Sequence, residues 1–390
     1  MKRLALLALL ALVPACVADE DVLDEGEVGE GEDAVVALTE PDETAPANQL
    51  APAPLDKDEA EGLIDIRGVG DSGWSNTHER TAIAAEVGAA LDRFDSTGHG
   101  YRGDLSFINW ETVVGTTCSQ FGSAYVRGRS YAFVSRPENL VQVHDRGFQL
   151  IALSNNHTRD CHGSSETTER GEAASPSMTA KNIEALGARD WLWAGVSSSA
   201  DASDHSRARV RTFRVKGRDV RVAFASTYMG RPSCPRASCG GDRRALLESL
   251  RDAQADLRIL AIHSMAAADQ DELVRLGIQF VTHYNGDVVF GHGPHVWKPV
   301  RVVRKSGGES TGVVFESLGN FLHPALAAQS KNFIGRALFD VSTLKLRQVQ
   351  VLPVANAGRD VRWSNADATT LQANLRWTPT ERGVYANVKP

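Results

Sequence analysis

The pattern that most restricts this chain is a short apolar run ending in a polar, ligand-type tip, repeated between residues 63 and 295. Its clearest instance is Gln149 to Cys161, QLIALSNNHTRDC. Gln149 to Leu153 reads as a strand, bounded at once by a polar turn. Asn155, Asn156, His157 and Asp160 then stand where a central strand hands the chain to a loop. In open α/β sheets, ligands sit at that carboxyl edge. Amide oxygens, imidazole nitrogens and a carboxylate together suit a divalent cation or a phosphate-like group. Taken alone, the stretch is equally a turn with one satisfied histidine, and recurrence is what gives it weight. Similar tips follow apolar runs at Asp71, at Asn109-Trp110-Glu111, at His263 and at Gly291-His292-Gly293-Pro294-His295.

Between these tips the first half alternates strand and helix. Leu63 to Gly70 and Leu105 to Asn109 read as strands, while Thr77 caps a helical pattern to about Phe94 and Pro137 to Arg146 forms another. Ser177 to Leu186 predicts a further helix, and Trp191 to Ala194 a short strand. The second half is richer in strands. Val210 to Val215 and Val220 to Ala225 predict a hairpin across Lys216-Gly217-Arg218-Asp219. Helices over Asp242 to Ala255 and Asp269 to Leu276 flank strands at Leu257 to Ile262 and Asp287 to Phe290. Val300 to Val303, Gly312 to Phe315, Ala337 to Val341 and Leu346 to Leu352 add strands. This order predicts an α/β protein of two packed mixed sheets covered by helices. No repeat and no Gly- or Pro-rich linker divides residues 63–355, which form one expected domain. Residues 356–390 form a C-terminal extension with a last helix over Asp367 to Leu375.

The N-terminus differs in kind. Lys2 and Arg3 precede the apolar run Leu4 to Val13, which is too short to span a bilayer and reads as a secretory signal. Val13-Pro14-Ala15-Cys16 is similar to a bacterial lipoprotein box with Cys16 as the lipidated residue, although ordinary cleavage fits as well. Residues 1–16 are therefore expected to direct export, with a lipid anchor placing the protein at a membrane in the periplasm or on the cell surface. Asp19 to Glu61 carries 16 acidic residues and one lysine. Its poverty in large apolar residues predicts a disordered tether over residues 17–62. The total charge of -7 thus hides a domain of about +6 from residue 62 onward. That mild excess favours anionic substrates, and the scattered arginines form no nucleic-acid patch.

Beyond Cys16, four cysteines remain: Cys118, Cys161, Cys234 and Cys239. In an oxidising compartment they suggest two disulfides with three possible connectivities. Cys234 and Cys239 could close a local loop, leaving Cys118 for Cys161. The competing zinc site has no spacing that matches a four-ligand pattern.

The tips together resemble the CapA family of poly-gamma-glutamate capsule synthesis proteins, within the calcineurin-like metallophosphoesterases. The matching pieces are Gly70-Asp71, Asn109-Trp110-Glu111, Asn155-Asn156-His157 with Asp160, His263, Gly291-His292-Gly293-Pro294-His295 and Ser317-Leu318-Gly319-Asn320-Phe321. The resemblance implies a four-layer αββα sandwich, phosphatase-like, with one or two divalent ions (Mn, Fe or Zn) between its sheets. Glu111 would bridge, Asp71 and His295 would hold one ion, and Asn156 with His263 the other. His157 would donate to a developing oxyanion or protonate a leaving group, oriented by Asp160. Asn109, Asn320 and His292 would stand around this set. The implied activity is metal-dependent hydrolysis of a phosphoester or an acidic surface polymer. The alternative is a non-catalytic lipoprotein that binds or helps assemble an anionic polymer.

Two departures bear on that choice. Where the family carries His-Pro-His, this chain has Gly293-Pro294-His295, which reads as a lost ligand that a histidine at 293 would restore. His292 sits one position early, and on a strand end it is expected to point elsewhere. After His263 the family often has Trp-Gly with a nearby Glu, and here stands Ser264-Met265-Ala266. The bland alternatives are a turn-opening Asp71, a solvent-facing Glu111, a core His263 and a rigid turn at His295. His78, His99, His144, His162, His205, His283 and His323 read as surface or structural.

Overall fold

A computed structural model describes residues 43–201, 204–308, 310–364, 370–371 and 375–390. The signal segment, Cys16 and most of the expected helix over Asp367 to Leu375 lie outside these residues.

Alternating apolar residues build two sheets that face each other. The first-half elements are β1 (Leu63–Ser72), α1 (Val87–Phe94), β2 (Leu105–Trp110), α2 (Pro137–Asp145), β3 (Phe148–Ala152), α3 (Ala174–Ala185) and β4 (Leu192–Ala194). They are followed by β5 (Arg209–Val215), β6 (Arg218–Tyr228), α4 (Arg243–Asp252), β7 (Leu257–His263), α5 (Ala267–Tyr284) and β8 (Val288–His292). The chain ends with β9 (Val300–Arg304), β10 (Thr311–Phe315), β11 (Gln329–Asp340), β12 (Leu346–Ala357) and β13 (Val384–Val388). The first sheet runs β13-β12-β11-β1-β2-β3-β4, and the second β5-β6-β7-β8-β10-β9. Both are mixed: β1 to β4 are parallel while β11 to β13 run antiparallel, and β6, β7, β8 and β10 are parallel between antiparallel edge strands.

Three apolar clusters define the layers. Ile66, Phe107 and Leu150 of the first sheet meet Phe224, Ile259, Phe290 and Phe315 of the second. The outer face of the first sheet is covered by α1, α2 and α3 through Leu91, Leu140 and Ile183. The outer face of the second is covered by α4 and α5 through Leu246, Leu250, Leu273 and Phe280. The protein is thus an αββα sandwich. The sheets approach so closely that a Cβ on Gly68 of β1 would stand 2.3 Å from the Phe290 ring, which is why glycine interrupts that strand.

Three expectations are corrected. The helix expected from Thr77 begins only at Val87, because residues 77–86 run as loop against the neighbouring segments. Residues 43–62 are no tether: Thr44–Ala45 pairs with β13, and carbonyls of this segment satisfy buried donors. Arg336 donates to the Pro54 carbonyl at 2.9 Å, Gln350 to Ala53 at 3.1 Å and Gln348 to Ala51 at 3.0 Å. Unmet buried donors are costly, so the acidic segment is held despite its composition. The domain also extends past residue 355, since β13 adds a strand beside β12. Among the described residues no helix is long and apolar enough to cross a membrane.

Candidate metal centre

The centre forms where the carboxyl ends of β1 and β2 meet those of β7 and β8. Asp71 pairs in register with Asn109, whose Nδ2 donates to Asp71 Oδ1 at 2.8 Å. The Ser317–Phe321 turn grips Asp71 from the far side: its N–H donates to Gly319 O at 2.8 Å, and Phe321 N–H donates back to Asp71 O at 2.9 Å. Glu111 follows β2 directly and is fully buried. Asn155 shapes the next turn, donating to Trp110 O at 3.0 Å and accepting from His157 N–H at 3.1 Å.

The second sheet brings the imidazoles. Parallel register sets Tyr228, His263 and His292 side by side at the ends of β6, β7 and β8. His263 stands between the two carboxylates, with Nδ1 3.8 Å from Asp71 Oδ1 and Nε2 3.7 Å from Glu111 Oε1. His292 stacks on Phe107 and sets Nδ1 3.4 Å from Asp71 Oδ1. The expectation that His292 points elsewhere is therefore overturned. Beyond it the backbone turns sharply, with φ +113° at Gly293 and +56° at His295, and His295 Nδ1 comes to 3.2 Å from Asp71 Oδ2. Asn320 Oδ1 accepts from the same nitrogen at 2.8 Å. With Nδ1 committed to Asn320 and Asp71, Nε2 is the nitrogen His295 has left for a cation.

Charge is distributed unevenly over this cluster. Burial pushes the Glu111 carboxyl up, reinforced by the negative Asp71, to about 8. Burial works in the same sense on Asp71, but His292 and His295 outweigh it and hold that carboxyl well below its usual range. Burial drives His263 down to about 3 against the pull of Asp71. For His295 burial is overcome by the Glu111 and Asp71 carboxylates, which raise it to about 10. Like-charged and desolvated groups held this close call for a positive partner.

A divalent cation fits that demand. Ligand atoms of Asp71, Glu111 and His263 lie within 4.8 Å of one another, so a slight contraction would let bonds of about 2 Å reach one ion. Both Glu111 oxygens, His263 Nε2, His292 Nε2 and Asn156 Oδ1 are buried with no hydrogen-bond partner. Buried polar atoms are rarely left so, and a cluster of them fits a cation. His263 lies between Asp71 and Glu111, and Asn156, with Oδ1 unpartnered, also lines an adjoining cleft.

Asp160 lines that cleft, and His157 is hydrogen-bonded to Asp160. His157 Nδ1 is 2.8 Å from Asp160 Oδ2, and Phe133 N–H donates to the same oxygen at 2.8 Å. Burial would lower the His157 imidazole, but the Asp160 charge and hydrogen bond prevail and raise it. The cysteines pair as Cys118–Cys161 and Cys234–Cys239, with Cα separations of 5.5 and 5.8 Å.

The profile of the bacterial capsule synthesis protein family PGA_cap matches residues 88–325. The chain belongs to this family. The match covers every capsule-family tip described above except Asp71, which precedes it. Among solved structures, a crystal structure of a phosphatase from Mycoplasma pneumoniae is 12% identical, with a TM-score of 0.45 over 75% of this chain and 94% of that one. A hypothetical protein from Thermus thermophilus is 15% identical, with a TM-score of 0.41 over 75% of this chain and 100% of the other. No curated protein matches by sequence.

Several residues of this capsule-family site escaped sequence reasoning. His323, read as surface or structural, is fully buried, with Nε2 unpartnered and its ring 4.5 Å from Phe133, which in turn contacts His157. Burial lowers it to about 3, so it stays neutral. Its position after the Ser317–Phe321 turn was the available signal. Tyr228 stands with its ring 5.9 Å from His263, and Arg159 and Arg231 line the cleft. Nothing local in the sequence distinguishes those two arginines from the scattered others.

Proposed function

We propose that this chain is an exported, metal-dependent hydrolase that cleaves a phosphoester or an acidic surface polymer in capsule synthesis. The secretory pattern of residues 1–16 and the lipoprotein-type Cys16 support an outward, membrane-anchored location. The observation that carries the activity is the unpartnered set of Glu111 Oε1 and Oε2 with His263 Nε2, fully buried beside Asp71. Asp71, Glu111, His263 and His295 would hold the ion or ions, with His292 and Asn156 completing the shell. A divalent cation held there would supply Lewis-acid polarisation of a substrate oxygen and a more acidic water.

The chain's own residues supply the rest. Asn109 and the Gly319 carbonyl fix Asp71, so that ligand needs little reorganisation on binding. Asn320 orients His295. His157, whose imidazole the Asp160 charge and hydrogen bond raise against burial, is the group that can hand a proton from Nε2 to a leaving oxygen or steady developing negative charge. Phe133 packs on that ring and limits water around it.

A second reading, a non-catalytic lipoprotein that binds or helps assemble an anionic polymer, draws on Gly293 standing where the resemblance expects a histidine. Metal analysis of the purified protein, followed by a phosphodiester turnover assay, separates the two. Bound divalent metal with turnover that is lost in Asp71→Ala and His157→Ala supports the hydrolase. A folded protein that takes up no metal under replete conditions and turns nothing over overturns it.

A further inference from the structure

Beside the centre lies an open cleft lined by Asn156, Arg159 and Asp160 together with Gly122, Tyr125 and Tyr131. Arg159 is only 9% exposed and its Nε has no hydrogen-bond partner, although Nη1 forms an ion pair with Glu172 at 3.0 Å. Arg231 reaches the same carboxylate at 2.9 Å. Two guanidinium groups therefore share one carboxylate, while Asp160, the other carboxylate of the lining, is engaged by His157 and the Phe133 N–H. A buried guanidinium with an unused donor is costly unless an acceptor arrives. The Tyr228 ring lies 5.9 Å from His263, and burial raises its hydroxyl against the opposing charges of Arg159 and Arg231.

The cleft is also braced. Cys161 follows Arg159 and Asp160 directly, and its disulfide to Cys118 ties it to the segment that leads into Gly122, whose N–H donates to Asp160 O at 3.1 Å. On the flanks of the Cys234–Cys239 loop, the Arg231 carbonyl accepts from Gly240 N–H at 2.9 Å. A disulfide near each arginine suits a preformed binding surface.

We propose that Arg159 and Arg231 form an anion subsite that holds a second carboxylate or phosphate of the substrate, next to the group cleaved at the metal centre. The assignment rests on the hydrolase reading for its purpose, but anion binding can be measured without cleavage. Guanidinium binds either oxyanion through paired donors. Glu172 acts as the internal competitor that occupies both arginines until the substrate arrives.

Calorimetric titration of the full chain as purified, with inorganic phosphate and separately with a short acidic peptide, tests the subsite and tells the two sources apart. Loss of one charged hydrogen bond weakens binding of the preferred anion about tenfold in Arg159→Gln and in Arg231→Gln. Arg231 is partly exposed, so its variant reports even if Arg159→Gln fails to fold. Glu172→Gln is expected to tighten binding, an effect that a purely structural ion pair would not produce. Wild type that binds neither anion, or arginine variants that bind as wild type does, overturns the subsite. Turnover of a neutral-armed diester without anion binding refutes the subsite alone, whereas anion binding without metal or turnover refutes the hydrolase alone.

Discussion

Gly293 and Ser264 touch through their backbones: a Cβ built on Gly293 would stand 1.9 Å from the Ser264 carbonyl oxygen. With φ at +113°, the position also favours glycine over any side chain. The apparent loss of a ligand is thus tied to the turn that lets His292 and His295 both face Asp71. Gly293→His is expected to add no metal and to disturb the turn. Gly293→Ala should already cost about 2 kcal/mol or more. Chemical denaturation and metal content of both variants check this, and a stable Gly293→His protein with extra metal would refute it.

Glu111 gives the metal site a pH signature. In metal-free protein its carboxyl is raised from 4.5 to about 8. The folded state therefore holds a proton that the unfolded chain has released, so stability of chelator-treated protein falls as pH rises from about 5 to 8. Cation binding must expel that proton, so affinity climbs with pH across the same window and uptake acidifies a weak buffer. Glu111→Gln should remove the proton release and sharply reduce affinity. Titration with a pH indicator reads both.

A second buried charge cluster predicts acid sensitivity unrelated to the site. Asp65 accepts from Arg67 at 2.7 Å and from Arg336 at 2.5 Å, all three being fully buried. Burial opposes the Asp65 charge, but the two guanidinium groups prevail and lower it from 3.8 to about 2. The stabilisation is complete above the unfolded value and is lost as pH falls from about 4 toward 2, amounting to about 2 kcal/mol. Asp65→Asn leaves two buried cations short of a counter-charge and is expected to cost about 3–5 kcal/mol at neutral pH. Urea unfolding at pH 7 and pH 3 measures both effects.

What was legible in the sequence was local. An apolar run followed by Asp71, Glu111, His263 or Asn156 reveals a strand tip from adjacent residues alone, and the run of such tips points to two sheets. The direction of His292 was missed because β8 runs on to His292 and not only to Phe290, so that His292 faces between the sheets as Phe290 does. Residues 43–62 have the composition of a tether, yet they are ordered by buried donors on Arg336, Gln348 and Gln350 nearly 300 positions away. Arg159 and Arg231 acquire meaning only when folding brings both to Glu172.

The His157–Asp160 pair offers the sharpest test of chemistry as distinct from metal binding. The two are joined at 2.8 Å, and the Asp160 carboxylate keeps the imidazole raised against its burial. If His157 acts as the proton donor, activity persists while it is protonated and falls on the alkaline side as that proton is lost. Asp160→Asn removes the charge that raises it, so the alkaline limb of kcat should move to lower pH with metal content unchanged. His157→Ala should lower kcat by about 100-fold or more, the usual worth of a positioned proton donor. A leaving group acidic enough to depart unprotonated should recover much of that loss. An unchanged profile in Asp160→Asn, or equal losses for good and poor leaving groups in His157→Ala, would assign the pair to structure and not to proton transfer.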